Sequence, residues 1–292
     1  MSHQIEPFQV TCQDGVVLGG KLIIPESPKA VVQFNGGTAA KKEFYLPFLN
    51  HLADHGYLCA LWDYRGNGES APEKLGKCTY TFLEYGTQDM PAVKSYLQNR
   101  YPDLPFLFFG HSVGGQQLGF IDDLSGVKGL VGYAISTGYA PHMPLGYRLQ
   151  SHFFFYMFSP ISILLTGCVR AKRFGIMEDL PRNVVREWRA WCSKRNYFFN
   201  RKFYGRTVPK GQYDDLPFPV HVFWTTDDPI SNRRSIPSLW DNITVPKGKE
   251  FTQVTPEEAG VKKMGHFGFF KKRPGKKLWP RAVAQLDAFL EA

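Results

Sequence analysis

Hydrophobic residues in the first half of the chain fall into short runs separated by polar turns. Residues 8–12 and 16–24 read as strands on either side of Asp14-Gly15, a hairpin turn signal. Residues 30–34 form a short apolar run that stops at Asn35-Gly36-Gly37-Thr38. Phe44, Phe48, Leu49 and Leu52 then recur at helical spacing, and Gly56 is a C-cap candidate. Residues 57–62 are again strand-like and end in Asp63-Tyr64-Arg65-Gly66-Asn67-Gly68-Glu69-Ser70. Residues 80–101 carry the next helical pattern, with Pro91 starting its main part. Residues 104–109 and 127–136 read as two further strands, with a helix-compatible stretch over 116–122 between them. Strand and helix alternating in this way predict βαβ crossovers and a mostly parallel sheet. Such sheets bind ligands at the carboxyl ends of their strands. Asn35-Gly36-Gly37, Asp63 and Ser112 each follow a predicted strand, so they are expected to gather on one edge.

The rhythm breaks after Ser136. From 137 to 216 no buried-strand run appears, and helical stretches such as 183–194, with Trp188 and Trp191, dominate. Strands resume at 220–225 and 250–254, and a last helix covers 278–290. The expected organisation is an α/β core formed by 1–136 and 217–292, with a mostly helical cap, 137–216, over the active edge. Residues 153–169 are nearly all apolar but fall short of a membrane span and contain Pro160. They are expected to form a buried or substrate-facing lid, with no stable membrane insertion.

Composition narrows the classes. The chain has 292 residues, 43% of them hydrophobic and 15% aromatic, enough for one large α/β domain with an insertion. The net charge is +9, much of it carried by 137–216 through residues such as Arg170, Lys172, Arg173, Arg186 and Arg189. A solvated basic face is the first reading and an anionic substrate or surface the second. No helix-turn-helix, zinc-finger or aromatic RNA-binding motif is present, which argues against a nucleic-acid partner. Five scattered cysteines without a Cys-x-x-Cys pair argue against a disulfide framework or zinc site and favour a reducing compartment. The first residues, MSHQIEPFQV, lack a secretory pattern, so a cytoplasmic protein is expected.

Candidate chemistry centres on Gly110-His111-Ser112-Val113-Gly114, a Gly-x-Ser-x-Gly turn between a buried-strand pattern and a helix. The two glycines allow the chain to fold back sharply and leave the serine hydroxyl exposed at the strand end. A serine hydroxyl needs a base, and the base an orienting carboxylate. In this arrangement the partners follow in the order acid, then histidine. Asp227-Asp228 follows the strand at 220–225, with Asp228 the preferred acid and Asp227 the alternative. His266, between Gly265 and Phe267-Gly268, is the base candidate. Backbone amides of Val113 and Gly37, with Thr38 the alternative to Gly37, are the oxyanion donors expected. No metal or organic cofactor is called for. His111 is expected to pack under the turn, and His51, His55, His142 and His152 to be structural or exposed. Asp63 is assigned to its post-strand turn and Asp89 to a helix start.

These residues together resemble the α/β-hydrolase superfamily over nearly the whole chain. Residues 63–70 look like its Asp-x-Arg-Gly-x-Gly-x-Ser turn, and Gly110-His111-Ser112-Val113-Gly114-Gly115 like its nucleophile elbow. Glu178-Asp179-Leu180-Pro181 with Trp188 and Trp191-Cys192, Asp227-Asp228, and Gly265-His266-Phe267-Gly268-Phe269-Phe270 resemble a bacterial group of predicted hydrolases of unassigned substrate. Asn35-Gly36 stands where many relatives place His-Gly. The resemblance implies the α/β-hydrolase fold and a capped serine hydrolase but says little about substrate. The residues themselves lead to the expectation of carboxylic-ester hydrolysis through an acyl-enzyme, on a small-molecule ester or acyl substrate. Thioesterase, amidase, peptidase or acyltransferase activity would use the same residues, and a non-catalytic binding protein on this scaffold is the alternative of another class.

Overall fold

The chain turns at Asp14-Gly15, where Gly15 adopts φ +84°, and β1 (Gln4–Thr11) pairs antiparallel with β2 (Val17–Ile24). The structure, a computed structural model, describes residues 3–291. β3 (Ala30–Asn35), β4 (Tyr57–Trp62), β5 (Phe106–His111) and β6 (Val127–Tyr133) follow. Two two-residue strands, β7 (Cys168–Val169) and β8 (Leu180–Pro181), form a separate antiparallel ribbon. β9 (Val220–Thr225) and β10 (Lys249–Val254) complete an eight-stranded sheet of order β1-β2-β4-β3-β5-β6-β9-β10. β2 runs antiparallel to both its neighbours, and every other pair is parallel.

β3, β4 and β5 are buried at every position. That is why they read as unbroken apolar runs rather than alternating ones: both faces of a parallel sheet are covered. Side chains still alternate between the faces. Phe106 and Phe108 pack with Leu97, Val93 and Leu130 on one side. Leu107 and Phe109 pack with Phe34, Phe48, Val131 and Leu286 on the other. Each such fully buried side chain contributes roughly 1.5–3 kcal/mol. The second layer includes α1 (Leu46–Asp54), which buries Phe48, Leu49 and Leu52 and stops before Gly56 at φ +84°. α2 (Met90–Arg100) is entered through a π-turn at Tyr85–Asp89, with Pro91 in its first turn, and residues 80–83 are not helical.

The helix expected over 116–122 is much shorter. α3 spans Val113–Gln116 and a 3-10 turn takes over at Leu118–Phe120. Gly114, Gly115 and Gly119 disfavour propagation there. In the interval between β6 and β9, α4 (Leu145–Phe153), a π-turn (Phe154–Phe158) and α5 (Ser159–Thr166) run on as one helical rod, followed by α6 (Arg182–Cys192). The buried or substrate-facing lid expected over 153–169 is only partly so: Phe154 and Phe155 are buried, but Phe153, Ile161, Leu164 and Leu165 face outward, Leu164 with 84% of its surface accessible. Among the described residues no helix is long and apolar enough to cross a membrane. α7 (Ser235–Trp240) precedes β10, and α8 (Lys272–Glu291) closes the chain. α8 starts at Lys272 rather than at 278, because its basic first turn with Pro274 and Gly275 carries no apolar periodicity.

Asp89 stands at the start of α2, as expected, but its side chain serves another element. It makes no side-chain cap to α2. Its Oδ1 accepts from Arg65 Nε at 2.6 Å and its Oδ2 from the Arg65 amide at 2.9 Å. Arg65, fully buried, also reaches Asp14 Oδ2 at 2.6 Å. One guanidinium thus ties the β1–β2 hairpin, the turn after β4 and the start of α2 together. Asp63 is buried against the Lys42 ammonium and accepts from the Glu69 amide at 3.0 Å.

Candidate active site

β5 ends in Gly110-His111, and Ser112 adopts φ +52°, ψ −117°, a conformation that a non-glycine residue holds only under surrounding constraint. The constraint is backbone contact. A Cβ at Gly114 would lie 2.0 Å from the Asn35 carbonyl oxygen, and one at Gly110 2.9 Å from Gly115 Cα. The Ser112 amide donates to the Tyr133 carbonyl at 3.1 Å, which pins the turn to β6.

Asp228 follows β9 by a short loop. Its Oδ2 lies 2.7 Å from His266 Nδ1, and its Oδ1 accepts from the Ile230 and Ser231 amides at 2.7 and 3.0 Å. The Asp228 carboxylate is fully buried and the His266 ring nearly so. A carboxylate at Nδ1 selects the Nδ1–H tautomer, leaving a lone pair on Nε2. Asp227 does different work. Its oxygens accept from the Met264 and Gly265 amides at 2.8 and 3.1 Å and from Thr225 Oγ1 at 3.0 Å. The two adjacent aspartates therefore divide the tasks of orienting the ring and holding the loop that carries it.

His111 is wholly buried beneath this loop. The Gly37 amide donates to Tyr45 Oη at 2.9 Å, Tyr45 Oη lies 2.8 Å from His111 Nδ1, and His111 Nε2 lies 2.9 Å from the His266 carbonyl. Since Tyr45 Oη accepts from Gly37, its own proton goes to Nδ1, and Nε2–H donates to the carbonyl. Burial, with His266 beside it, pushes the His111 imidazole well below its usual pKa and keeps it neutral. A second tyrosine, Tyr133, donates to the Gly265 carbonyl at 2.9 Å.

The Gly37 amide is thus committed to Tyr45 instead of facing an incoming ligand. The Thr38 and Val113 amides have no protein acceptor among the described residues. Nothing in the sequence spacing pointed to Tyr45 or Tyr133, since each meets its partner only through tertiary packing.

Ser112, Thr38 and His266 line one cavity of about 410 Å³. Its other walls include Phe154 and Phe155 of the π-turn, Tyr147 and Ser151 of α4, and Trp188 of α6. No Asp, Glu, Lys or Arg lines it. Among the described residues no three His, Cys, Asp or Glu side chains converge as a metal-ligand set. The arrangement offers a hydroxyl on a strained backbone turn, an oriented imidazole and the unoccupied Thr38 amide at an apolar space, with the unoccupied Val113 amide next along the chain from the serine.

A family model described as Serine aminopeptidase, S33, matches residues 26–154. Phospholipase ABHD3 of Mus musculus is 25% identical over 271 residues, which cover 86% of this chain and 60% of that protein. The chain thus spans under two thirds of that relative's length. Among solved structures, a soluble variant of monoglyceride lipase from Saccharomyces cerevisiae, in complex with a substrate analog, superposes with a TM-score of 0.67 at 15% identity, covering 99% of this chain and 94% of the other. A thermostable carboxyl esterase from Bacillus coagulans, in complex with glycerol, gives 0.61 at 13% identity over 99% of both chains. Sheet order, turn geometry and these likenesses agree on one architecture: the chain has the α/β-hydrolase fold.

Proposed function

We propose that the protein is a serine hydrolase that cleaves a carboxylic ester with an apolar acyl group through an acyl-enzyme intermediate. The observation that carries this reading is the 2.7 Å contact between Asp228 and His266 at the wall of the cavity that Ser112 also lines. In the proposed cycle His266 Nε2 takes the Ser112 proton as Oγ attacks the acyl carbon. Asp228 holds the ring and stabilises the imidazolium. The developing oxyanion is received by the Val113 amide and the Thr38 amide, the latter replacing Gly37 because the Gly37 N–H serves Tyr45. The imidazolium then protonates the departing alkoxide, and water, deprotonated by His266, releases the acid. No metal ion or organic cofactor takes part.

Residues 137–216 act as the cap in this reading, since α4, the π-turn and α6 wall the cavity. Phe154, Phe155, Met143 and Met177 suit an aliphatic chain, and the absence of a lining cation favours an uncharged one over an anionic headgroup inside the pocket. The lipase, esterase and phospholipase names among the similar proteins support ester chemistry. Hydrolysis of p-nitrophenyl esters of increasing chain length, beside matched thioesters and anilides, tests the reading. Medium-chain esters should be preferred, and Ser112→Ala should abolish turnover. Cleavage of thioesters or anilides alone, or a strict preference for acetyl, would contradict it.

A further inference from the structure

The outer face of the α4–α5 rod is apolar and largely uncovered among the described residues. Leu145, Leu149, Phe153, Met157, Ile161 and Leu165 are each more than half exposed. They recur every fourth residue, so they form one ridge along the rod. The opposite side of the same rod, through Tyr147, Ser151, Phe154 and Phe155, walls the cavity. A helix that is apolar on both sides belongs inside a protein or against lipid, and an exposed apolar patch of this kind marks an interaction surface.

Charge around the ridge indicates which. Arg186 and Arg189 border a groove floored by Pro160, Ile163 and Leu164. Arg173 adjoins the exposed Phe174, whose ring packs on Phe158 at a centroid distance of 5.4 Å. The acids nearby, Asp179 and Glu178, are already engaged by Arg170 at 3.0 Å and Lys172 at 3.0 Å. Arg173 and Arg186 have no acidic partner among the described residues. An apolar ridge flanked by unpaired arginines is complementary to a bilayer with anionic headgroups. Ile176, exposed and also part of the cavity wall, joins the two surfaces.

We propose that the ridge of α4–α5 docks on an anionic lipid bilayer, with Leu149, Phe153, Leu164 and Leu165 entering the acyl boundary and Arg173 and Arg186 meeting the headgroups. An apolar ester then passes from the bilayer to the cavity across one helix. This deepens the ester-hydrolase reading and rests on it for the substrate, while the docking stands on the surface itself.

The test is sedimentation of the full chain carrying Ser112→Ala, so that no lipid is consumed, with vesicles of phosphatidylcholine alone or mixed equally with phosphatidylglycerol. Binding should favour the anionic vesicles, and Leu149→Glu, Leu164→Glu and Leu165→Glu together should weaken it by about tenfold or more. Arg173→Glu with Arg186→Glu should remove the preference for anionic lipid. In the Ser112 form, the three leucine substitutions should leave hydrolysis of a water-soluble short-chain ester unchanged, which also verifies folding. Absence of binding to either vesicle, equal binding by the leucine variant, or a dimer in solution that this variant splits would overturn the proposal. Vesicle binding by a chain that hydrolyses no ester would instead remove the hydrolase reading and leave the docking in place.

Discussion

His111 bridges two loops that share no sequence neighbourhood. Through Tyr45 it touches the Gly37 amide, and through Nε2 it holds the His266 carbonyl. It is a positioning residue in the proposed reaction. His111→Gln is expected to lower kcat by roughly 10- to 100-fold with little change in KM, the cost of a base displaced by a fraction of an ångström. Its burial also sets a pH dependence. The folded-state pKa lies well below the unfolded value near 6.5, so below that pH the unfolded chain binds the extra proton. Stability should therefore fall as pH drops through about 6.5, with this one group contributing at most about 1.4 kcal/mol per pH unit. Urea midpoints measured from neutral to mildly acidic pH should show a flatter dependence in His111→Gln, and an unchanged slope would contradict the assignment. The aspartates separate in the same way. Asp228→Asn removes the acceptor that fixes the His266 tautomer and should cost about 10⁴ in kcat. Asp227→Asn loosens the loop that Met264 and Gly265 anchor, and its loss should include thermal stability.

At the scale of elements, the Arg65 clamp joins a hairpin, a turn and a helix start across long sequence separations. Asp89→Ala would leave a buried guanidinium short of its main partner, at an expected cost of about 3–5 kcal/mol in chemical denaturation. Gly114→Ala would press a methyl against the Asn35 carbonyl. Because both are backbone-bound, the predicted loss is about 1–3 kcal/mol or more, with activity reduced in the fraction that folds. The central strands were legible in the sequence because burial on both faces turns them into unbroken apolar runs. The Asp14-Gly15 and Gly56 boundaries were legible because each needs a backbone angle that glycine supplies cheaply. The brevity of α3 and the early start of α8 were not, since local propensity and tertiary packing oppose each other there. Asp89 looked like a helix cap because its acidic character and position fit one, and only the fold reveals Arg65 as its partner.

Across the whole molecule, residue type and chain order pointed to Ser112, Asp228 and His266, which follow three separate strands, His266 at the greatest remove in the 3-10 turn Gly265–Phe270. The Tyr45–His111 link was invisible, because no spacing rule encodes a hydroxyl meeting a ring 66 positions away. The apolar run at 153–169 showed the opposite difficulty: its composition was plain, but which of its faces would be covered was not. Charge is distributed to match. The net +9 leaves the cavity wall free of Lys and Arg, while arginines border the exposed ridge. The measurement that bears most directly on the central claim is peptide mapping of the protein after reaction with a fluorophosphonate. A single adduct on Ser112, lost on unfolding and strongly slowed in Asp228→Asn, is the predicted result. A folded protein whose Ser112 stays unmodified, or whose adduct lies on another residue, would contradict the account.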